Sequence, residues 1–63
     1  MEKIYLKNGN VVNFITFEND TYKYYSCKDF DESVELLMTL TDIGNRCTIR
    51  QNGLGWWFVR VLL

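Results

Sequence analysis

Hydrophobic and polar positions in this chain follow two periods. From Lys3 to Lys7 they alternate, Ile4 and Leu6 pointing one way and Tyr5 the other, which predicts a strand. Asn8-Gly9-Asn10 is a turn, and Val11 to Phe17 a second strand. With Asn8-Gly9 as a two-residue hairpin loop, Leu6 stands opposite Val11, and Ile4, Leu6, Val11, Ile15 and Phe17 share a face. Glu18-Asn19-Asp20 leads into a third strand, Thr21 to Cys27. Pairing Glu18 with Thr21 sets Phe17 against Tyr22 and Ile15 against Tyr24 on that same face.

The period then lengthens. Asp29 and Glu32 have the spacing of a capping box, and acids in a first turn suit the positive end of a helix. Phe30, Val34, Leu37 and Leu40 follow at helical spacing, with Leu36, Met38 and Ile43 widening the stripe. So broad a stripe predicts a helix packed deeply on a sheet, ended by Gly44-Asn45.

Arg46 to Leu63 predicts a second hairpin. Asn52-Gly53, taken as a type I′ turn, places Ile49 opposite Trp56 and Cys47 opposite Phe58. Cys47, Ile49, Trp56, Phe58 and Leu62 then share one face, interrupted only by Arg60. Arg46, Thr48, Arg50, Trp57, Val59, Val61 and Leu63 occupy the other. The order β-β-β-α-β-β predicts an α+β fold: a small single domain over residues 1–63, with an antiparallel sheet of about five strands and one helix on one face. Strand order stays open, because the helix can return the second hairpin to either edge.

If the helix covers Ile4, Leu6, Ile15, Tyr24, Ile49 and Trp56, the opposite face is a mixture of rings and cations. Its candidate partner-binding residues are Trp57 as anchor, with Arg46, Arg50, Tyr5, Tyr25, Lys23 and Val59. Trp, Tyr and Arg are enriched at protein–protein hot spots, and apolar residues on a second sheet face call for burial. The face therefore predicts a protein partner, or a homodimer through the C-terminal strand at Trp57, Val59, Val61 and Leu63. The same residue types also suit single-stranded nucleic acid, rings stacking on bases and cations following phosphates. An acidic surface is the third candidate: Asp29, Asp31, Glu32 and Glu35, with Glu18 and Asp20, as a nucleic-acid mimic.

Composition narrows the classes. The chain has 63 residues, near the size where folding alone becomes marginal. It has no histidine, so Ser-His and Cys-His pairs cannot exist, and no enzyme is expected. Two cysteines without zinc spacing imply no structural metal, and no cofactor motif is present. The registers place Cys27 on the outer face and Cys47 on the inner, so no disulfide is expected between them. No apolar run spans a bilayer and the first residues lack a signal-peptide pattern, which predicts a cytoplasmic protein with no membrane contact. Alanine and proline, with their GC-rich codons, are absent, as in an AT-rich genome such as that of a low-GC bacterium or its phage. The expectation is a non-enzymatic interaction protein, phage- or mobile-element-encoded, that binds and modulates a larger protein, with inhibition as the expected effect.

Overall fold

Five strands and one helix follow in the order read from the sequence: β1 (Glu2–Tyr5), β2 (Val11–Glu18), β3 (Tyr22–Cys27), α1 (Phe30–Asp42), β4 (Cys47–Gln51) and β5 (Trp57–Leu62). The computed structural model describes every residue from Met1 to Leu63. The strands form one antiparallel sheet in the order β1-β2-β3-β5-β4. The helix thus returns the second hairpin beside β3, with β5 inside the sheet and β4 at its edge. No helix is long and apolar enough to cross a membrane.

The helix is capped at both ends by the residues that signal it. Asp29 accepts a hydrogen bond from the Glu32 N–H (2.8 Å), and Glu32 accepts one from the Lys28 N–H (3.0 Å). At the other end the Gly44 N–H donates to Thr41 (3.0 Å) and the Asn45 N–H to Leu40 (3.1 Å). This is a Schellman closure, with Gly44 at φ +96° as such an end requires. The buried stripe is narrower than its apolar composition implies. Ser33, Leu36 and Leu40 are buried and Leu37 packs against them, whereas Met38 and Ile43 face outward. Phe30 is half exposed, its ring set edge-on against Trp57 at 5.0 Å.

Both outer hairpins close with three-residue loops, not two. The Leu6 N–H donates to Asn10 (2.8 Å) and the Gly9 N–H to Leu6 (3.0 Å). The same pair of bonds recurs at Asn52 and Trp56 (3.0 Å) and at Gly55 and Asn52 (3.1 Å). The left-handed residue is the last of each loop, Gly9 at φ +91° and Gly55 at φ +87°; Gly53 has no positive φ. This is a type I turn followed by a glycine bulge, the usual three-residue hairpin. Asn52 stabilises it by accepting from the Leu54 and Trp56 N–H groups at 2.9 and 3.0 Å.

These loops set the faces. At the first hairpin Tyr5 pairs with Val11 and Ile4 with Val12, one residue away from a two-residue turn. At the second, Ile49 pairs with Val59 and Cys47 with Val61. An odd shift moves every side chain of a strand to the other face. The covered face therefore holds Ile4, Leu6, Val12, Phe14, Tyr25, Cys27, Cys47, Ile49, Trp57, Val59 and Val61, which form the core with Leu36, Leu37 and Leu40. The expectation that Ile15, Tyr24 and Trp56 lie inward is corrected, as is the outward placement of Val12, Phe14, Tyr25, Cys27, Trp57 and Val59. Faces assigned to β1 and β4 stand. The relation of β2 to β3 also stands, since Phe17 pairs with Tyr24, not Tyr22, an even shift.

Candidate functional site: an open face of rings and arginines

The uncovered face of the sheet is built from two rows that cross it. In one, Phe17, Tyr24, Arg60 and Thr48 are successive cross-strand partners; in the other, Ile15, Ser26, Phe58 and Arg50. Tyr22 and Leu62 pair at one end of these rows, with Arg46 beside them, since the Leu62 N–H donates to the Arg46 carbonyl. Lys3 and Tyr5 extend the face on β1.

The rings form a connected cluster. Phe17 and Tyr24 stack with centroids 4.9 Å apart and planes 12° apart. Phe58 meets Phe17 edge-on at 6.0 Å, and Tyr22 lies 6.1 Å from Tyr24. Phe17 remains 53 % exposed and Ile15 63 %. Between Phe17, Tyr24, Phe58, Arg50, Gln51 and Asn52 lies a hollow of about 340 Å³.

Charge is sorted between the two sides. The open face carries Lys3, Arg46, Arg50 and Arg60 and none of the chain's eight carboxylates. Glu2 lies on the covered face with Lys23 and Tyr25, Glu18 pairs with Lys23, Asp20 is in a loop, and five acids belong to the helix or its cap. The arginines make no ion pair, both salt bridges being lysine bridges, Lys7 to Asp42 and Lys23 to Glu2.

Of the residues singled out in the sequence, the structure brings Arg46, Arg50 and Tyr5 onto this face. It places the other four beneath the helix side. Val59 is fully buried, Tyr25 is 4 % exposed, and Trp57 packs on Phe30. Lys23 is held by Glu2, which also accepts a hydrogen bond from the Tyr25 hydroxyl at 2.8 Å. The C-terminal dimer surface is corrected for the same reason: of its four residues only Leu63 is exposed, and it lies past β5. Ile15, Phe17, Tyr22, Tyr24, Phe58, Arg60 and Leu62 are the face residues that the two-residue turns assign to the covered side. Arg60 was the available signal: an arginine set into a covered face of a central strand needs an acid partner, and none is offered.

The acidic candidates separate into two groups. Asp29, Asp31, Glu32 and Glu35 line a hollow between the helix start and the first hairpin, together with Lys28 and Leu6. Glu18 and Asp20 lie at the opposite end of β3, roughly 20 Å away along its six residues. No single acidic row joins them, and Asp29 and Glu32 are engaged in capping.

The thiols are free, with β5 lying between their strands. Burial, with Glu32 adding to it, pushes the Cys27 thiol up to about 11, and burial raises Cys47 as well. Both are therefore thiols at neutral pH, the less nucleophilic form. No three His, Cys, Asp or Glu side chains converge as a metal site. Compared with protein-family models, curated proteins and solved structures, the chain matches none.

Proposed function

We propose that this is a non-enzymatic interaction protein that binds and modulates a larger protein, docking through the open sheet face. One observation supports a protein surface over nucleic acid: the rings already occupy one another. Phe17 and Tyr24 are stacked and Phe17 takes the edge of Phe58, while the Arg60 guanidinium lies 4.0 Å over Tyr22. Base stacking needs ring faces free to receive bases. Rings standing packed against one another present edges and an apolar hollow, which suit side chains of a protein partner.

The test is affinity capture from a host lysate, with and without nuclease, comparing the wild type with Tyr24→Ser after circular dichroism has confirmed folding. A discrete protein that survives nuclease and is lost with Tyr24→Ser is the expected result. Recovery of nucleic acid, with all else lost after nuclease, supports instead the reading carried by the four cations of this face. A partner retained equally by both proteins moves the interaction to another surface.

A further inference from the structure

We infer that the open face recognises an acidic protein surface, whose carboxylates seat on Arg46, Arg50 and Arg60 around apolar side chains that meet Phe17, Tyr24 and Phe58. The inference rests on the docking reading above and names the chemistry of its partner.

Three guanidinium groups stand on this face, and none has an ion pair or a side-chain hydrogen bond within the chain. The carboxylates are not scarce; the fold keeps all eight elsewhere. Arg60 is the most telling. Its guanidinium is fixed over the Tyr22 ring at 4.0 Å, yet its Nε is buried and has no hydrogen-bond partner. A hollow of about 150 Å³ brings Arg60 together with Arg46, Thr48 and Tyr22. Cys47 and Leu62 complete the lining and no acid is present, so a carboxylate seated at the rim meets two arginine residues, which bind carboxylates through paired N–H donors.

A second copy is a poor occupant. A twofold contact through this face would lay four cations against four, and like charges across an interface are strongly unfavourable. The size of the face adds a further argument. Five strands about 4.8 Å apart, the longest of eight residues, give a plan of roughly 20 by 25 Å. That is at the small end for specific interfaces, where association depends on charge steering and a few anchors.

A phage-displayed library of random peptides, panned against the immobilised protein, tests this. The expected result is enrichment of peptides that combine Asp or Glu with Leu, Ile, Phe or Trp. A synthetic peptide from that pool should bind the double variant Arg46→Glu/Arg50→Glu roughly tenfold or more weakly. Both positions are exposed, and circular dichroism establishes that the variant folds. Peptides without acidic excess, bound equally by the double variant but lost with Tyr24→Ser, overturn the acidic partner and leave the docking reading standing. Peptides indifferent to both variants overturn the two together. A thymidine oligonucleotide run in parallel, bound where peptides are not and lost with the arginines, also overturns both. A dimer in sedimentation that Tyr24→Ser dissociates overturns the heterologous partner alone.

Discussion

Phe17 and Tyr24 are direct cross-strand partners on β2 and β3, and their rings stack 4.9 Å apart at 12°. Each therefore fixes the other upright on a face that solvent reaches. A double-mutant cycle with Phe17→Leu and Tyr24→Leu, followed by denaturant unfolding, should give a coupling of about 0.5–1.5 kcal/mol. A coupling near zero would mean rings that turn independently and are free to receive bases, which removes the main support for a protein partner.

The two hairpin loops make a second prediction, on glycines only two residues apart. Gly55 has φ +87° and Gly53 does not have positive φ. An added Cβ at Gly55 meets nothing closer than Gln51 Nε2 at 3.9 Å, so its cost is conformational and not steric. Gly55→Ala should destabilise by about 1–2 kcal/mol, and Gly9→Ala by the same. Gly53→Ala should stay within about 0.5 kcal/mol, as at an ordinary surface site. The reverse order in thermal unfolding would restore the two-residue turn.

Those loops also explain how much was legible. Element order, the Asp29 cap and the Gly44 end are written in local chemistry, and each appears where that chemistry puts it. Face assignment is not local; it passes along the chain from loop to loop. Lys7-Asn8-Gly9 and Gly53-Leu54-Gly55 each contain the glycine of a three-residue loop, but Asn-Gly is also the strongest two-residue signal, and choosing it inverts the faces. In β2 the strand itself could not arbitrate, because Val12 and Phe14 alternate with Ile15 and Phe17 and both sets are apolar. In β3 it pointed the wrong way: Lys23 sits on the covered face, where Glu2 from β1 neutralises it. In β5 it pointed the right way, since Trp57, Val59 and Val61 form an unbroken apolar set and Arg60 breaks the other.

Trp57 accordingly changes role from contact to support. It packs between the sheet and Phe30 on the helix side, so Trp57→Ala should cost about 2–4 kcal/mol, near the lower range for a buried aromatic. Tyr24→Ala, on the open face, should cost about 1 kcal/mol. Unfolding midpoints for the two variants test this directly. A small loss at Trp57 together with a large one at Tyr24 would reverse the faces assigned to β3 and β5.

The Glu2 clasp carries a pH dependence that can be worked out group by group. Glu2 is held below its ordinary 4.5 chiefly by its hydrogen bond to Lys23, with Tyr25 adding a second. Its contribution is present above 4.5 and is lost as pH falls through the lowered folded value. Lys23 is raised above 10.5 chiefly by Glu2, and Tyr25 above 10.0 by burial and then by Glu2. Both contributions are complete below those ordinary values and disappear as pH rises through the folded ones. Cys27 adds an earlier alkaline step, since its thiol moves from 9.0 to about 11 and its contribution is lost across that interval. Stability should thus be level from about pH 5 to about pH 8.5 and fall on both sides. Glu2→Gln should flatten the acid limb and soften the alkaline limb above pH 10, leaving the step that begins near 9.0 in place. Cys27→Ala should do the converse, reducing that step to the part contributed by Cys47, which burial also raises from 9.0, and sparing the acid limb. An acid limb unchanged in Glu2→Gln, measured by urea midpoints across the pH range, would place the acid sensitivity on other carboxylates and leave the clasp with no role in it.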